Sequence, residues 1–402
     1  MIGLRRHGRA RRSPRVLLII ENVSFARDHR ARKQAYSLAA AGYRVGVICR
    51  RDASNKTYAR DGVRLYEYPP PPEGRGAVMF AVEYAYSLLV AACMTVRALL
   101  AGAIDAIQAG HPPDIYFVLG MPAKLFGTRF VVDQRDLSPE VYEERYGTSD
   151  GALPRVLRKL ERTSWRLADH VFTVNDSLVD VVSRRGGVPA ERVTRVGNGP
   201  MLAVVDEQSS HPEILGEFRH VVCWLGVIGP QDHLDLALRA VAYSVRELGR
   251  SDTLFVVIGD GEAAPAARAL ADELGVSDFV RFTGWIDEQD VFAYLATADL
   301  GIDTNLQAEV TPVKILEYMA HRLPVVAFDL RETRLLAGDA GEYVEPGNVE
   351  ELSRAVDQLL RDSDERRRRG EAGRARIEAE YAWEHQATRY LGAYDRLLGV
   401  AS

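Results

Sequence analysis

Short, largely apolar runs alternate with longer amphipathic ones through nearly the whole chain, and the series occurs twice. Runs that are largely apolar without alternation suit strands buried on both faces, and the intervening helical stretches are the crossovers that a parallel sheet requires. This pattern predicts an α/β, doubly wound architecture. In the first half the predicted strands are residues 16–20, 44–49, 114–119, 129–133 and 170–174, with a helix at 31–41. In the second they are 221–225, 254–258, 279–283, 300–304 and 325–328, with a helix at 234–248. A chain of 402 residues exceeds the range of roughly 100–200 typical of one domain. The polar stretch 200–217, broken by Pro200 and Pro212, supplies the boundary. The expected division is a disordered basic tail at 1–14, domains at 15–205 and 206–384, and a C-terminal helix, 385–402, packing back on the first domain. No repeat of 20 to 50 residues is present, which excludes a solenoid.

Composition narrows the function classes. A net charge of -5 gives no general reason to expect a nucleic-acid partner. Cys49, Cys93 and Cys223 lie far apart in apolar runs, without metal-ligand spacing, so a disulfide scaffold is excluded and a reducing compartment is expected. Arg5, Arg6, Arg9, Arg11, Arg12 and Arg15 precede an apolar run of only five residues, 16–20, shorter than the core of about 7 to 15 that a signal peptide needs. Residues 84–104 are long enough to span a bilayer, but Arg97 interrupts them. A charge near the middle of a span costs roughly 2.5 to 3.5 kcal/mol, so a core helix is expected, with peripheral membrane contact as the alternative.

The densest chemistry lies at 309–324. Thr311 reads as an N-cap and Pro312 as the first helical residue, where a missing N–H costs nothing. The N–H groups of Val313 and Lys314 then point out of the helix start, where the macrodipole favours an anion such as a diphosphate. Lys314 adds a formal charge, Glu317 follows on the same helical face, and Glu309 precedes the helix in the loop. Both carboxylates accept hydrogen bonds, which suits the hydroxyls of a ribose and a hexose. Alone, this would read equally as a capped surface helix. The strand 325–328 follows at once, however, and so places the helix start at the end of a parallel-sheet connection.

Other segments are weaker. Gly259-Asp260-Gly261 follows a strand and opens a helix, mimicking a dinucleotide fingerprint, but it stands on the second strand of its domain and lacks the acidic residue about 20 positions on. Gly226 and Gly229 allow close approach of backbone to a ligand phosphate. Arg30, after the first strand, could grip a phosphate in two-pronged fashion. Arg135 and Asp136 follow a buried strand and suggest a ligand-facing wall. His111 reads as structural. The run 366–369 with Arg374 and Arg376 reads as the coat of an exposed helix, and Pro69 to Pro72 as a stiff surface stretch.

Glu309 spaced eight positions from Glu317, with Pro312, Lys314 and the trailing Glu-Tyr-Met-Ala, resembles the GT-B glycosyltransferases of family four, retaining enzymes that use nucleotide sugars. Gly259-Asp260-Gly261-Glu262, Gly284 before Trp285, Ala298 to Gly301, Asn175 to Ser177 and Gly197-Asn198-Gly199 extend the resemblance over nearly the whole length. Arg135-Asp136-Leu137 and Asp28-x-Arg30 resemble the branch that builds surface polysaccharides. The resemblance implies two Rossmann-like domains facing across a cleft, with the acceptor on the first and the donor on the second. It places Glu317 on the ribose, Lys314 on the diphosphate and Glu309 on the donor sugar, and it implies no metal or other cofactor. Many such enzymes carry an arginine and a lysine in the loop where this chain has Val227 and Asp232, which shifts phosphate binding towards Lys314, the helix start and Arg30. Many also have a first-domain histidine where this chain has Gln108, Gly110 and Arg135, leaving Arg135 and Asp136 as the candidates beside the reacting sugar. The expected partners are a nucleotide sugar, with uridine diphosphate favoured because nothing selects guanine, and a saccharide or lipid-linked acceptor. The expected setting is cytoplasmic, at or near the inner face of the membrane. A small natural product as acceptor, an epimerase or phosphorylase, and a non-catalytic sugar-nucleotide binder are the alternatives.

Overall fold

The computed structural model describes residues 12–71, 77–146, 151–206, 210–307 and 310–400. The first sheet comprises β1 (Arg15–Ser24), β2 (Arg44–Arg50), β3 (Val63–Tyr68), β4 (Ala106–His111), β5 (Arg129–Gln134), β6 (His170–Thr173) and β7 (Val193–Arg195), in the order β3-β2-β1-β4-β5-β6-β7. The second comprises β8 (His220–Leu225), β9 (Thr253–Ile258), β10 (Val280–Gly284), β11 (Leu300–Asp303), β12 (Val325–Phe328) and β13 (Gly341–Val344), in the order β10-β9-β8-β11-β12-β13. All these pairings are parallel. Each sheet starts at its centre, winds to one edge, returns and winds to the other, which is the doubly wound order. Central strands such as β8 and β12 are largely apolar because both faces are covered. Val222 and Trp224 of β8 enter one core with Phe255 and Val257, whereas Val221 and Cys223 enter another with Leu254 and Val256.

The chain divides into two compact units, Met1–Val196 with Ala387–Ser402, and Gly197–Gln386. The crossing thus lies before the polar stretch 200–217, nine residues from the expected boundary. The reason is local: the short helix Leu202–Val205 puts its apolar side chains into the second unit's core, and a Cβ at Gly199 would meet the Tyr381 carbonyl oxygen at 1.6 Å. Residues 387–402 belong to the first unit, where Tyr390 and Tyr394 are fully buried and both donate to Gln108 Oε1 at 2.8 Å.

Helices α1 (His29–Ala40), α2 (Ala77–Leu100), α3 (Phe117–Lys124), α4 (Ser138–Tyr146), α5 (Ala152–Leu167) and α6 (Asp176–Gly186) complete the first unit. The strand expected at 114–119 is a misreading. The strand is Ala106–His111, and the apolar residues after it open α3, which presses Gly120 so close to β5 that a Cβ there would lie 2.3 Å from the Phe130 ring. Residues 84–104 fall largely in α2, whose Ala91 and Ala98 join the core, and no helix among the described residues is long and apolar enough to cross a membrane. The basic run near 366–376 does not simply coat a surface. Arg374 is buried, donating to the Ala320 carbonyl at 2.9 Å and to Asp206 at 2.7 Å, and Arg366 pairs with Asp299 at 3.1 Å. These arginines tie the Ser363–Arg376 helix to the end of the Val313–Ala320 helix, to Asp206 and to the residue before β11, while Arg367 remains exposed.

Candidate functional site

In the second unit the winding reverses between β8 and β11, so the loops leaving these strands diverge and open a crevice at their C-terminal ends. The loop after β8 is laced to the loop after β9. Gly226 N–H donates to the Ile258 carbonyl at 3.0 Å, Ile228 N–H to Asp260 at 3.0 Å, and Ala263 N–H back to Ile228 at 3.0 Å. A Cβ at Gly259 would sit 1.9 Å from the Gly226 oxygen, and one at Gly261 2.4 Å from the Ile228 oxygen. The glycine spacing that mimics a dinucleotide fingerprint is therefore explained by two loops in contact. Gly229 closes the turn differently: its N–H donates to Asp232 Oδ2 at 3.1 Å. Gly284, at φ +66°, bridges to Gly259 and leaves Trp285 half exposed at the same strand edge.

The helix after β11 spans Val313–Ala320. Pro312, at φ -73° and ψ 96°, is its N-cap rather than its first residue, and Thr311 lies one position outside. The expected roles of both shift by one, because Pro312 keeps an extended ψ. The helix start still turns the N–H groups of Val313 and Lys314 outward, ahead of the first intrahelical acceptor. Lys314 runs back along the glycine loop. Its Nζ lies 3.1 Å from Asp303 Oδ1, 3.9 Å from Asp232 Oδ1 and 4.2 Å from the centre of the Trp224 ring, with 10% of its side chain exposed. A Cβ at Gly226 would stand 3.4 Å from Lys314 Cε, so Gly226 leaves the lysine stem its path. Asp303, at the end of β11, is 2% exposed at its side chain. Burial raises the Asp232 carboxyl above its ordinary range, with Lys314 pulling the other way. Tyr318 fixes the frame, accepting from Leu225 N–H at 2.8 Å and donating to the Ile302 carbonyl at 3.2 Å, with its ring against Gly301. Glu317 is half buried on the same helix, and its carbonyl meets His321 Nδ1 at 2.8 Å. Glu309 lies outside the described residues.

The first unit has its own reversal, between β1 and β4. Asp28 caps α1 through Ala31 N–H at 2.9 Å and also receives Arg135 Nη1 at 2.7 Å. Asp133 is fully buried at the end of β5. Burial pushes its carboxyl up, but Arg30 more than offsets this, with help from Arg135 and Gln34, and holds it at about 2. Arg30 donates Nε to Asp133 Oδ2 at 2.9 Å, Nη2 to Oδ1 at 2.7 Å, and Nη1 to the Val196 carbonyl at 2.7 Å. This corrects the phosphate role expected of Arg30: its guanidinium is buried and its fork is spent on Asp133. Arg135 is three-quarters buried between Asp28 and Asp133. Asp136 is exposed beside it, its carbonyl accepting from Gln134 Nε2 at 2.6 Å. Buried His111 faces Asp114 at 2.7 Å.

The sequence matches the family described as Glycosyl transferase 4-like domain over residues 28–199, and the one described as Glycosyl transferases group 1 over 219–362. The chain belongs to the GT-B glycosyltransferases of family four. Among the chain's relatives, the alpha-D-kanosaminyltransferase of Streptomyces kanamyceticus is 28% identical over 58% of this chain and 62% of its own length, so the chain spans less than two thirds of that relative. A GDP-mannose-dependent phosphatidylinositol monomannoside mannosyltransferase of Corynebacterium glutamicum is 32% identical over 35% of this chain and 38% of its own. Anabaena HepE, solved with UDP-glucose, superposes with a TM-score of 0.71 over 95% of this chain and 99% of its own, at 17% identity, which speaks for the fold.

Two residues of the candidate site escaped sequence reasoning, Asp303 and Trp224; with Asp232, which was noted only as a departure in the glycine loop, they surround Lys314. A signal for Asp303 was present, since a carboxylate ends an otherwise apolar strand. Asp133 stands one residue from the end of β5, after an apolar run. Such a residue is either at a ligand or neutralised by a buried cation.

Proposed function

We propose that this glycosyltransferase moves a sugar from a nucleotide diphosphate sugar, with uridine diphosphate favoured, to a hydroxyl of a lipid-linked or cell-envelope saccharide, retaining the anomeric configuration. The observation that carries this reading is the position of Lys314 at the start of a helix, over Gly226, at the reversal of the second sheet. A departing diphosphate gathers negative charge as the glycosidic bond to it breaks. The N–H groups of Val313 and Lys314 and the Lys314 ammonium are fixed in advance and meet that charge without reorganisation. Asp232 is the weaker of the two carboxylates on Lys314 and releases it to the phosphate, while Asp303 keeps the stem in place. In this reading Gly226, Gly229, Gly259 and Gly261 bring backbone close to the donor, Trp285 offers an aromatic face, Glu317 takes the ribose and Glu309 the donor sugar. Arg135 and Asp136 stand at the first unit's candidate acceptor site. No cofactor is part of the reading, and work at the inner face of the membrane is.

Thermal-shift screening of uridine and guanosine diphosphate sugars tests the donor, and mass spectrometry with NMR of the product's anomeric proton tests transfer and retention. An inverted product, or turnover of donor that needs no acceptor hydroxyl, overturns the proposal. Similarity to the kanosaminyltransferase favours a second reading in which the acceptor is a small aminoglycoside-like natural product.

A further inference from the structure

Twelve of the eighteen large hydrophobic side chains that are exposed among the described residues lie on α2 to α5 or in the turn after α3. Scattered exposed hydrophobics are ordinary, but concentration on one face marks an interaction surface. Leu89 is 67% exposed and Leu100 85% exposed on α2, and Leu125 and Phe126 are 85% and 86% exposed after α3. The connectivity puts them on one side of the sheet. The crossovers α2, α3 and α5 all advance in the direction β3 to β6, so right-handed connections place them on one face, and they share one hydrophobic core.

Charge is concentrated there too. Arg155, Arg158, Lys159, Arg162 and Arg166 recur on α5 at helical spacing and line a single groove of about 400 Å³. Five like charges along roughly 16 Å of helix repel one another at i,i+3 and i,i+4. For Arg155, Lys159, Arg162 and Arg166, no carboxylate among the described residues lies within ion-pair distance. The acid of this helix, Glu161, is buried on the opposite side and held by Arg185 at 2.9 Å. The apolar tip and the cationic groove are joined, because Lys124 Nζ donates to the Leu167 carbonyl at 2.6 Å, bringing Leu125 and Phe126 to the Arg166 end of α5.

We propose that this face docks on an anionic lipid surface, with the α5 cations over the headgroups and Leu125, Phe126 and Leu100 entering the interface. Cations ringing exposed apolar tips are complementary to such a surface, which offers negative charge above hydrocarbon. A second copy of the chain would present the same positive charge and be repelled. The inference deepens the membrane element of the proposed function and rests on it, and vesicle binding is read apart from turnover, so either can fail without the other.

The test is flotation of the full chain with phosphatidylcholine vesicles, with and without phosphatidylglycerol, at low and high salt. Capture is expected only with phosphatidylglycerol and falls with salt. At about fivefold per cation, the exposed triple variant R155Q/K159Q/R162Q lowers partitioning about a hundredfold. The variant L125S/F126S also loses capture, and both keep the wild-type unfolding temperature. Equal capture by neutral vesicles, or variants that float like the wild type, overturns the proposal. So does equally tight binding of soluble polyglutamate that is indifferent to L125S/F126S, which would assign the groove to an acidic protein, or self-association that L125S/F126S abolishes.

Discussion

Replacing Lys314 by methionine keeps most of the stem but removes the ammonium 3.1 Å from Asp303, whose side chain is 2% exposed. The carboxylate then stays buried with little left to compensate it beyond the Asn305 N–H at 3.4 Å. Breaking a buried pair in this way costs about 3–5 kcal/mol. Loss of the contact with the Trp224 ring adds about 0.5–2 kcal/mol. Inactivity of K314M would therefore say little by itself, because a damaged second unit and a missing phosphate ligand look alike in a turnover assay. The double variant K314M/D303N separates them. Removing the stranded charge restores most of the lost stability, read as the denaturant midpoint of the second unit's transition. It does not restore donor binding. A hydrogen bond to a charged group contributes about 1.5–3 kcal/mol, so calorimetry should show uridine diphosphate bound about 10- to 150-fold more weakly by the double variant than by the wild type. If K314M/D303N is as unstable as K314M, the ion pair is misjudged. If it binds the nucleotide like the wild type, the diphosphate does not lie on Lys314.

Gly259→Ala adds a methyl 1.9 Å from the Gly226 oxygen at φ +138° and should destabilise the second unit by about 1–3 kcal/mol for backbone strain and a similar amount for overpacking, whereas Gly229→Ala meets only the Gln231 side chain and should be near neutral in the same melt. Burial, with the charge of Glu83, raises the Glu21 carboxyl to about 8, so the folded state holds a proton that the unfolded state releases near 4.5. Stability from this group is full below about 4.5 and lost as pH rises towards 8; a stability profile of Glu21→Gln as steep as the wild type over that window refutes the assignment. A cavity of about 40 Å³ lies between the Leu234–Arg246 and Val349–Arg361 helices, lined by Val241, Phe255 and Val356. At about 24 cal/mol per Å³, filling it with Val356→Ile is worth at most about 1 kcal/mol, and a lowered denaturant midpoint would show that the space cannot accept the methyl.

The architecture was legible because a parallel sheet covered on both faces leaves a mark at most strands: β12 is apolar from end to end and β9 from its second residue, and neither could lie elsewhere. β4 was missed for the opposite reason. Its residues, Ala106–His111, include glutamine, glycine and histidine, and it is buried by its neighbours rather than by its own side chains. Helix α3 was misread because Phe117 to Leu119 are apolar, and only the contact of Gly120 with Phe130 shows that they belong to a helix. At the site, the helix start and Lys314 were legible from local rules of capping and charge. Their partners were not. Asp303 is 11 residues away and Asp232 82, and a pairing across strands has no local signature.

The two units use one device to different ends, and this separates a site from a strut. In each, an aspartate closes an apolar strand near the sheet's reversal and holds a cation from elsewhere: Asp133 holds Arg30, and Asp303 holds Lys314. Arg30 is 6% exposed, its fork is filled by both oxygens of Asp133, and its remaining nitrogen is spent on Val196. Buried and paired in this way, Arg30 is held as a strut, and the pair rigidifies the floor beneath Arg135. Lys314 has three donors on one small head, a single close carboxylate, and a second at 3.9 Å that a phosphate can replace. A bidentate arginine in its place would be satisfied by Asp303 alone. The lysine at the helix start is therefore the part of this arrangement suited to an anion that must arrive and leave, and Lys314→Arg should fold normally yet bind uridine diphosphate more weakly. Tighter binding by that variant would show that the donors left free of Asp303 matter less than their reach.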